Sequence, residues 1–245
     1  MPPSVTLFSE DEDGGMEIYQ SPYQKWLWNN CWLDMLKRVG AVDALVLLGD
    51  LVDGVNPAEK GMGLWTCDVG QQEITATDML RMIPARKVYG CQGSGFHVSN
   101  NKSSDRTITE NLRGTFRYDH FIKPENFTIH AMHKQSGSGR SGVTRKAHGI
   151  LTEIQAALEN EEVYGNVDMV VRAHKHTSVM VKIKDKYGFG IPSWKGRDYY
   201  VRSESLHFAP EHGYTYIEVN NGEIDHFDCR RYVPPPNLIR NCEVI

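Results

Sequence analysis

The stretch from Val42 to Asp53 constrains the fold more than any other. Ala44 to Leu48 is wholly apolar. It is too short for a typical helix and suits a strand buried on both faces. The run stops at Gly49, and Asp50 and Asp53 follow at once. In open parallel sheets, ligands bind outside the carboxyl ends of the strands. An Asp in that place either caps a turn or takes part in chemistry, and this stretch alone does not choose.

Later strand ends repeat the pattern. A predicted strand from Lys87 to Gln92 runs into Gly93-Ser94-Gly95-Phe96-His97. Another, Phe127 to Met132, ends at His133, and Val167 to Val171 leads into Ala173-His174-Lys175-His176. Each His alone is more often an ordinary polar residue than a ligand. Their joint occurrence at the ends of buried strands is hard to explain by turn chemistry. Converging carboxylates and neutral imidazoles suit Zn²⁺, Mn²⁺ or Fe and argue against Ca²⁺. On an extended segment His174 and His176 point to opposite sides, so each could serve a different ion, with one carboxylate bridging. Two ions about 3.5–4 Å apart are the usual clamp for phosphoryl transfer. His130, inside its strand, reads as core or as support for a ligand. His120, His148, His207, His212 and His226 read as structural. Ser94 lies in no G-x-S-x-G elbow, which argues against a serine nucleophile.

The remaining elements follow from periodicity and punctuation. A helix is predicted after Ser21, with Pro22 in its first turn and Gly40 as its stop. Further helices are predicted over Gln71 to Met82, Thr107 to Leu112 and Val143 to Asn160. Antiparallel strands are predicted over Val179 to Ile183, Tyr199 to Ser203, Tyr214 to Val219 and Ile224 to Cys229, with Asn221-Gly222 as a hairpin turn. Residues 1–20 and 99–106 read as loop and 234–245 as a tail, with 1–245 as one domain. The Gly- and Ser-rich loop 135–142 carries Arg140, a candidate substrate contact. The formal net charge of -4 argues against a broad nucleic-acid surface. It leaves a nuclease open, because bound ions add local positive charge. Five cysteines, with no CxxC pair, imply reduced thiols and a cytoplasmic setting. There is no apolar run long enough for a membrane span, so no membrane partner is expected.

Taken in order, these motifs resemble those of the calcineurin-like metallophosphoesterases. Gly49-Asp50-Leu51-Val52-Asp53 matches the family's GDxxD. Gly93 to His97 looks like a variant of its GNH motif, His133 stands where an isolated His stands, and Ala173 to His176 is similar to GHxH. Gln24 to Trp28 and Ile191 to Lys195 look like the bacteriophage-type subgroup, which places the protein in a host cytoplasm. The resemblance implies a four-layer α/β/β/α sandwich that hydrolyses phosphate esters, as a phosphodiesterase or nuclease using a metal-bound hydroxide. Nucleic acid or a nucleotide is then a candidate substrate. It implies two divalent ions (Mn, Fe, Zn or Ni), or one if the second ligand set is incomplete. Asp50 would bridge them. Ser94, in place of the family's Asn, would join His133 and His174 on one ion, and His176 would bind the other. His97 would act at the scissile phosphate, and Asp53 would orient the site. The family's opening DxH strand has no counterpart here, so an upstream strand is expected to be missing. The alternative reading is a catalytically degenerate member of the same fold that serves as a binding scaffold.

Overall fold

The computed structural model describes residues 7–10, 16–19, 21–55, 64, 66–95, 98–99, 102–135, 143–196 and 211–241. Where the sequence reads as loop before residue 20, β1 (Leu7–Glu10) and β2 (Met16–Tyr19) pair as an antiparallel hairpin. A helical run then passes through α1 (Pro22–Trp26), a π-helical segment (Leu27–Trp32) and α2 (Leu33–Val39). Ser21 and Gln24 form a reciprocal capping box at its start, and Gly40, at φ 61°, ends it.

The strands form two main sheets. The first orders β3 (Val42–Leu47), β4 (Ala85–Cys91) and β7 (Thr115–Arg117), all parallel. The second has five strands, β11 (Val179–Ile183), β12 (Lys186–Gly190), β10 (Met169–Arg172), β9 (Ile129–Met132) and β8 (Asp119–Ile122), in that spatial order. Its central pairs, β12–β10 and β10–β9, are parallel, while its outer pairs are antiparallel. Two short strands, β5 (Val98–Ser99) and β6 (Lys102–Ser103), form a separate ribbon. A long hairpin, β13 (His212–Asn220) and β14 (Glu223–Tyr232), closes through Asn221-Gly222, both at positive φ.

Side-chain alternation shows how the layers stack. Along β4, Tyr89 and Cys91 face inward. Tyr89 packs its ring edge-on to His120, and the Cys91 thiol donates to the Ala131 carbonyl at 3.5 Å. Between them Gly90 faces outward, where a Cβ would strike Thr109. Thr109 lies on α4 (Ser104–Asn111), which covers that side with α3 (Val69–Arg81). Along β10, Met169 and Val171 turn inward to join Leu48, Cys91, Phe127, Ala131 and Phe189 in the main core. Val170 turns outward to Ile150 and Ile154 of α5 (Val143–Glu159). The molecule is therefore a mixed α/β fold of four layers, helix, sheet, sheet, helix. The hairpin β13–β14 lies over the same core through Ile217, Val219, Ile224 and Cys229. Two short helices, α6 (Glu161–Tyr164) and α7 (Pro236–Asn241), complete the chain, the second within the expected tail.

One expectation about burial is corrected. Among the described residues β3 lies at the edge of its sheet, and Ala44 is exposed rather than buried on both faces. Only its carboxyl end, Leu47 and Leu48, sinks into the protein. The predicted strand Tyr199 to Ser203 lies outside the described residues. Four strands with little sequence signal, β5, β6, β7 and β8, are two to four residues long. Among the described residues no helix is long and apolar enough to cross a membrane.

Buried polar groups pin the layers. Arg172, 2% exposed, donates to Glu153 of α5 at 2.7 and 2.9 Å and to the His130 carbonyl at 2.9 Å. It also donates to His130 Nδ1, so His130 carries its proton on Nε2, which donates to Asp119. Burial, then the Arg172 charge, holds His130 below its ordinary value. His212, 1% exposed and in contact with the Tyr23 hydroxyl, is pushed down to about 4 by burial. Both histidines fold neutral, so the unfolded chain binds more protons below its ordinary value of 6.5. The contribution of these two histidines to stability is therefore full above pH 6.5 and falls as pH drops toward the folded values. Between pH 7 and pH 5, the wild type should lose roughly 2 kcal/mol more than His212→Gln, as read by urea unfolding at the two pH values.

Candidate metal centre

The site forms where two glycine turns meet. Gly49, at φ 78°, follows β3, and Gly93 follows β4. A Cβ on Gly49 would lie 2.5 Å from Gly93 Cα, and one on Gly93 would fall on Asp50 and Asp105. Only hydrogen at both positions allows the backbones to touch. Asp105, in the first turn of α4 and 4% exposed, fastens the two turns together. Its Oδ2 accepts from the backbone N–H of Asp50 at 3.2 Å and Gly93 at 2.9 Å, and its Oδ1 accepts from Leu51 at 2.9 Å. Burial holds its carboxyl above the ordinary range against those hydrogen bonds.

This clamp presents Asp50. Its Oδ1 accepts from the Ser94 backbone N–H at 2.6 Å, and the Ser94 hydroxyl lies 3.1 Å from both carboxylate oxygens. Its Oδ2 lies 3.1 Å from His133 Nε2, which is also 3.1 Å from His174 Nδ1. His133 Nδ1 donates to the Leu48 carbonyl at 2.6 Å. A carbonyl only accepts, so Nδ1 carries a proton and Nε2 faces the site. Burial would push His133 down, but the hydrogen bond and charge of Asp50, with the Leu48 carbonyl, hold it above its ordinary value. Burial, then the His133 charge, holds His174 below its own. One imidazole of the pair is thus biased toward carrying a proton and the other toward a lone pair.

Ligand atoms of Asp50, His133 and His174 all lie within 4.8 Å of one another. A carboxylate and two imidazoles, one fixed by a backbone carbonyl, fit a divalent Zn, Mn or Fe ion. The backbone is strained to make the set: Asp50, His174 and His176 adopt φ of 53°, 68° and 51°. Left-handed residues other than glycine cost about 1–3 kcal/mol each and gather at functional sites. His174 and His176 therefore lie in a turn beyond the end of β10.

The other predicted site residues divide. His176 stands outside the three-ligand cluster; burial, then the Lys195 charge, pushes it down to about 4. Asp53 Oδ1 lies 3.2 Å from Lys195 Nζ. Ser94 contacts Asp50. His97 and Arg140 lie outside the described residues. Asp105 and Lys195 were not legible as site residues. Asp105 sits in a polar stretch that reads as loop, and its only sequence signal is an acid near a helix start. Lys195 lies 142 positions beyond its partner Asp53 in the numbering, with no periodic signal between them.

No family model matches the chain, and no curated protein is significantly similar in sequence. Solved structures do align with it. Wild-type Vps29 complexed with Zn²⁺ from Entamoeba histolytica is 18% identical over 81% of this chain and 87% of its own, with a TM-score of 0.44. A novel archaeal phosphodiesterase is 12% identical over 82% and 88%, with a TM-score of 0.42. Vacuolar protein sorting 29 from Cryptosporidium parvum is 15% identical over 78% and 97%, with a TM-score of 0.34.

Asp105 bears on the centre by holding its turns, so its loss should appear in metal affinity while the fold is kept. Asp105→Asn is expected to weaken zinc binding about 10- to 100-fold while far-UV circular dichroism stays native, measured by competition with a chromophoric chelator.

Proposed function

We propose that this chain is a metal-dependent phosphoesterase, acting on phosphodiesters as a phosphodiesterase or nuclease. The convergence of Asp50, His133 and His174 within 4.8 Å carries this reading. Three protein ligands leave a further coordination position open, the pattern of catalytic rather than structural sites. A divalent ion held there would lower the pKa of water and withdraw charge from a phosphoryl oxygen. The protein's own part is to hold the ligands. Asp105 fixes Asp50, the Leu48 carbonyl fixes His133, and the strained turn fixes His174. The Gly93–Ser94 turn keeps backbone close to Asp50, and the predicted roles of His97 and Arg140 toward the phosphate belong to this same reading. Free thiols at Cys31, Cys67, Cys91 and Cys229 support a reducing cytoplasm, with Cys31 and Cys91 pushed up to about 12 by burial.

A second reading, a scaffold that keeps the fold without turnover, is favoured by the position of His176 outside the cluster and the engagement of Ser94 with Asp50. The two readings separate in a hydrolysis assay. Purified protein with added Mn²⁺ or Zn²⁺ should hydrolyse bis(p-nitrophenyl) phosphate, and His174→Ala should lower kcat/KM by at least about 100-fold while weakening zinc binding. Zinc binding without turnover in the wild type would select the scaffold.

A further inference from the structure

We propose that Ser94 is a positioning residue rather than a metal ligand: it holds the Asp50 carboxylate so that Oδ2 alone meets the metal, and the centre takes one ion. The inference deepens the metal-centre reading above and rests on it. The two oxygens of Asp50 face different surroundings. Oδ1 accepts from the Ser94 backbone N–H at 2.6 Å. It also lies against Gly93, where a Cβ would strike both Asp50 Oδ1 and Asp105 Oδ2. Oδ1 is therefore packed into the Gly93–Ser94 turn, beside a second carboxylate. Oδ2 instead lies 3.1 Å from His133 Nε2, the nitrogen that also approaches His174 Nδ1. The Asp50 side chain is only 13% exposed, so it has little room to turn.

The Ser94 hydroxyl decides how an ion can approach. It lies 3.1 Å from Oδ1 and 3.1 Å from Oδ2. An atom equidistant from both oxygens stands on the side from which an ion would chelate them together. With that position taken by a hydroxyl, and with Oδ1 held by a backbone N–H, Asp50 offers one oxygen to one ion. A carboxylate has about four lone-pair sites, and Ser94 brings donors to two of them. The short N–H contact belongs to the charge-assisted class, roughly twice as strong as a neutral hydrogen bond.

The neighbouring charge explains why such donors are needed. Two carboxylates side by side disfavour each other's ionised form. Asp105 receives the three backbone N–H groups of Asp50, Leu51 and Gly93. Asp50 receives the N–H and the hydroxyl of Ser94 on the side that faces Asp105. The same Asp105 bond to the Gly93 N–H, at 2.9 Å, fastens the turn that aims the Ser94 N–H. Each acid thus has its own donors, and the Asp50 charge is directed through Oδ2 toward His133 and His174. Partners that orient a ligand in this way tune metal affinity without touching the ion.

The experiment compares wild type, Ser94→Ala, Ser94→Thr and His174→Ala, loaded with Zn²⁺ or with Co²⁺ as a coloured substitute. Stoichiometry is read by metal analysis and affinity by competition with a chromophoric chelator. Coordination number is read from the visible absorption of the cobalt form, which weakens as ligands are added. The expected wild type holds one ion per chain, and His174→Ala loses it. Ser94→Ala should keep the ion, bind it about 10-fold more weakly and show a weaker cobalt band, because the released carboxylate can chelate. Ser94→Thr, which retains both the hydroxyl and the N–H, should match wild type in affinity and spectrum. A stronger cobalt band in Ser94→Ala would mark the loss of a ligand and overturn the proposal. Two tightly held ions per wild-type chain, an ion retained in His174→Ala, or affinity and spectrum unchanged in Ser94→Ala would do the same. Failure of the phosphoesterase reading looks different. If bis(p-nitrophenyl) phosphate is not hydrolysed while the metal results are as stated, that reading fails and the assignment of Ser94 stands. A wild type that binds neither ion ends both.

Discussion

The contact between the Gly49 and Gly93 turns, fastened by the Asp105 carboxylate, is the constraint on which the candidate site depends. Two parallel strands end side by side, and their turns approach until backbone meets backbone. That approach is open only to glycine. It leaves three N–H groups, those of Asp50, Leu51 and Gly93, in need of an acceptor. A single buried carboxylate satisfies all three. The arrangement fixes Asp50 in a left-handed conformation it would not adopt alone. Local strain at the site is thus offset by hydrogen bonding from a helix on the outer layer, which couples the metal ligands to the packing of α4.

The second sheet contributes its ligands by a different device. His133 and His174 follow the adjacent parallel strands β9 and β10, so their positions are set by strand register. The Ala173 N–H donates to the His133 carbonyl at 3.0 Å, extending that register past the strand ends. Behind them, Arg172 binds Glu153 and the His130 carbonyl within the protein. Replacing one partner of such a buried pair would leave an uncompensated charge, at a cost of about 3–5 kcal/mol. The chemistry-bearing end of the sheet is therefore backed by a rigid polar anchor on its outer face.

Much of this was legible in the sequence because it is local. Ser21 and Gln24 signal a capping box, and Asn221-Gly222 signals a hairpin. The apolar run before Gly49 signals a strand whose end carries a carboxylate. The short strands β7 and β8 were not legible. Three or four residues carry too little periodicity, and their pairing is decided by the neighbours they meet. The exposure of Ala44 was also hidden, because an apolar strand reads the same at an edge as in the centre of a sheet. Asp105 and Lys195 escaped for a related reason: each acts on groups distant in sequence.

The sequence by itself determined which residue types stand at the ends of β3, β4, β9 and β10, because strand periodicity and glycine turns are written in consecutive residues. Tertiary structure alone decided that Asp50, His133 and His174 converge within 4.8 Å of one another. It also placed a buried acid from a remote segment against the Asp50 turn and a remote lysine against Asp53. Those choices follow from sheet order, strand register and the left-handed turns at positions 50, 174 and 176. Register and sheet order depend on contacts between segments that no stretch of sequence contains.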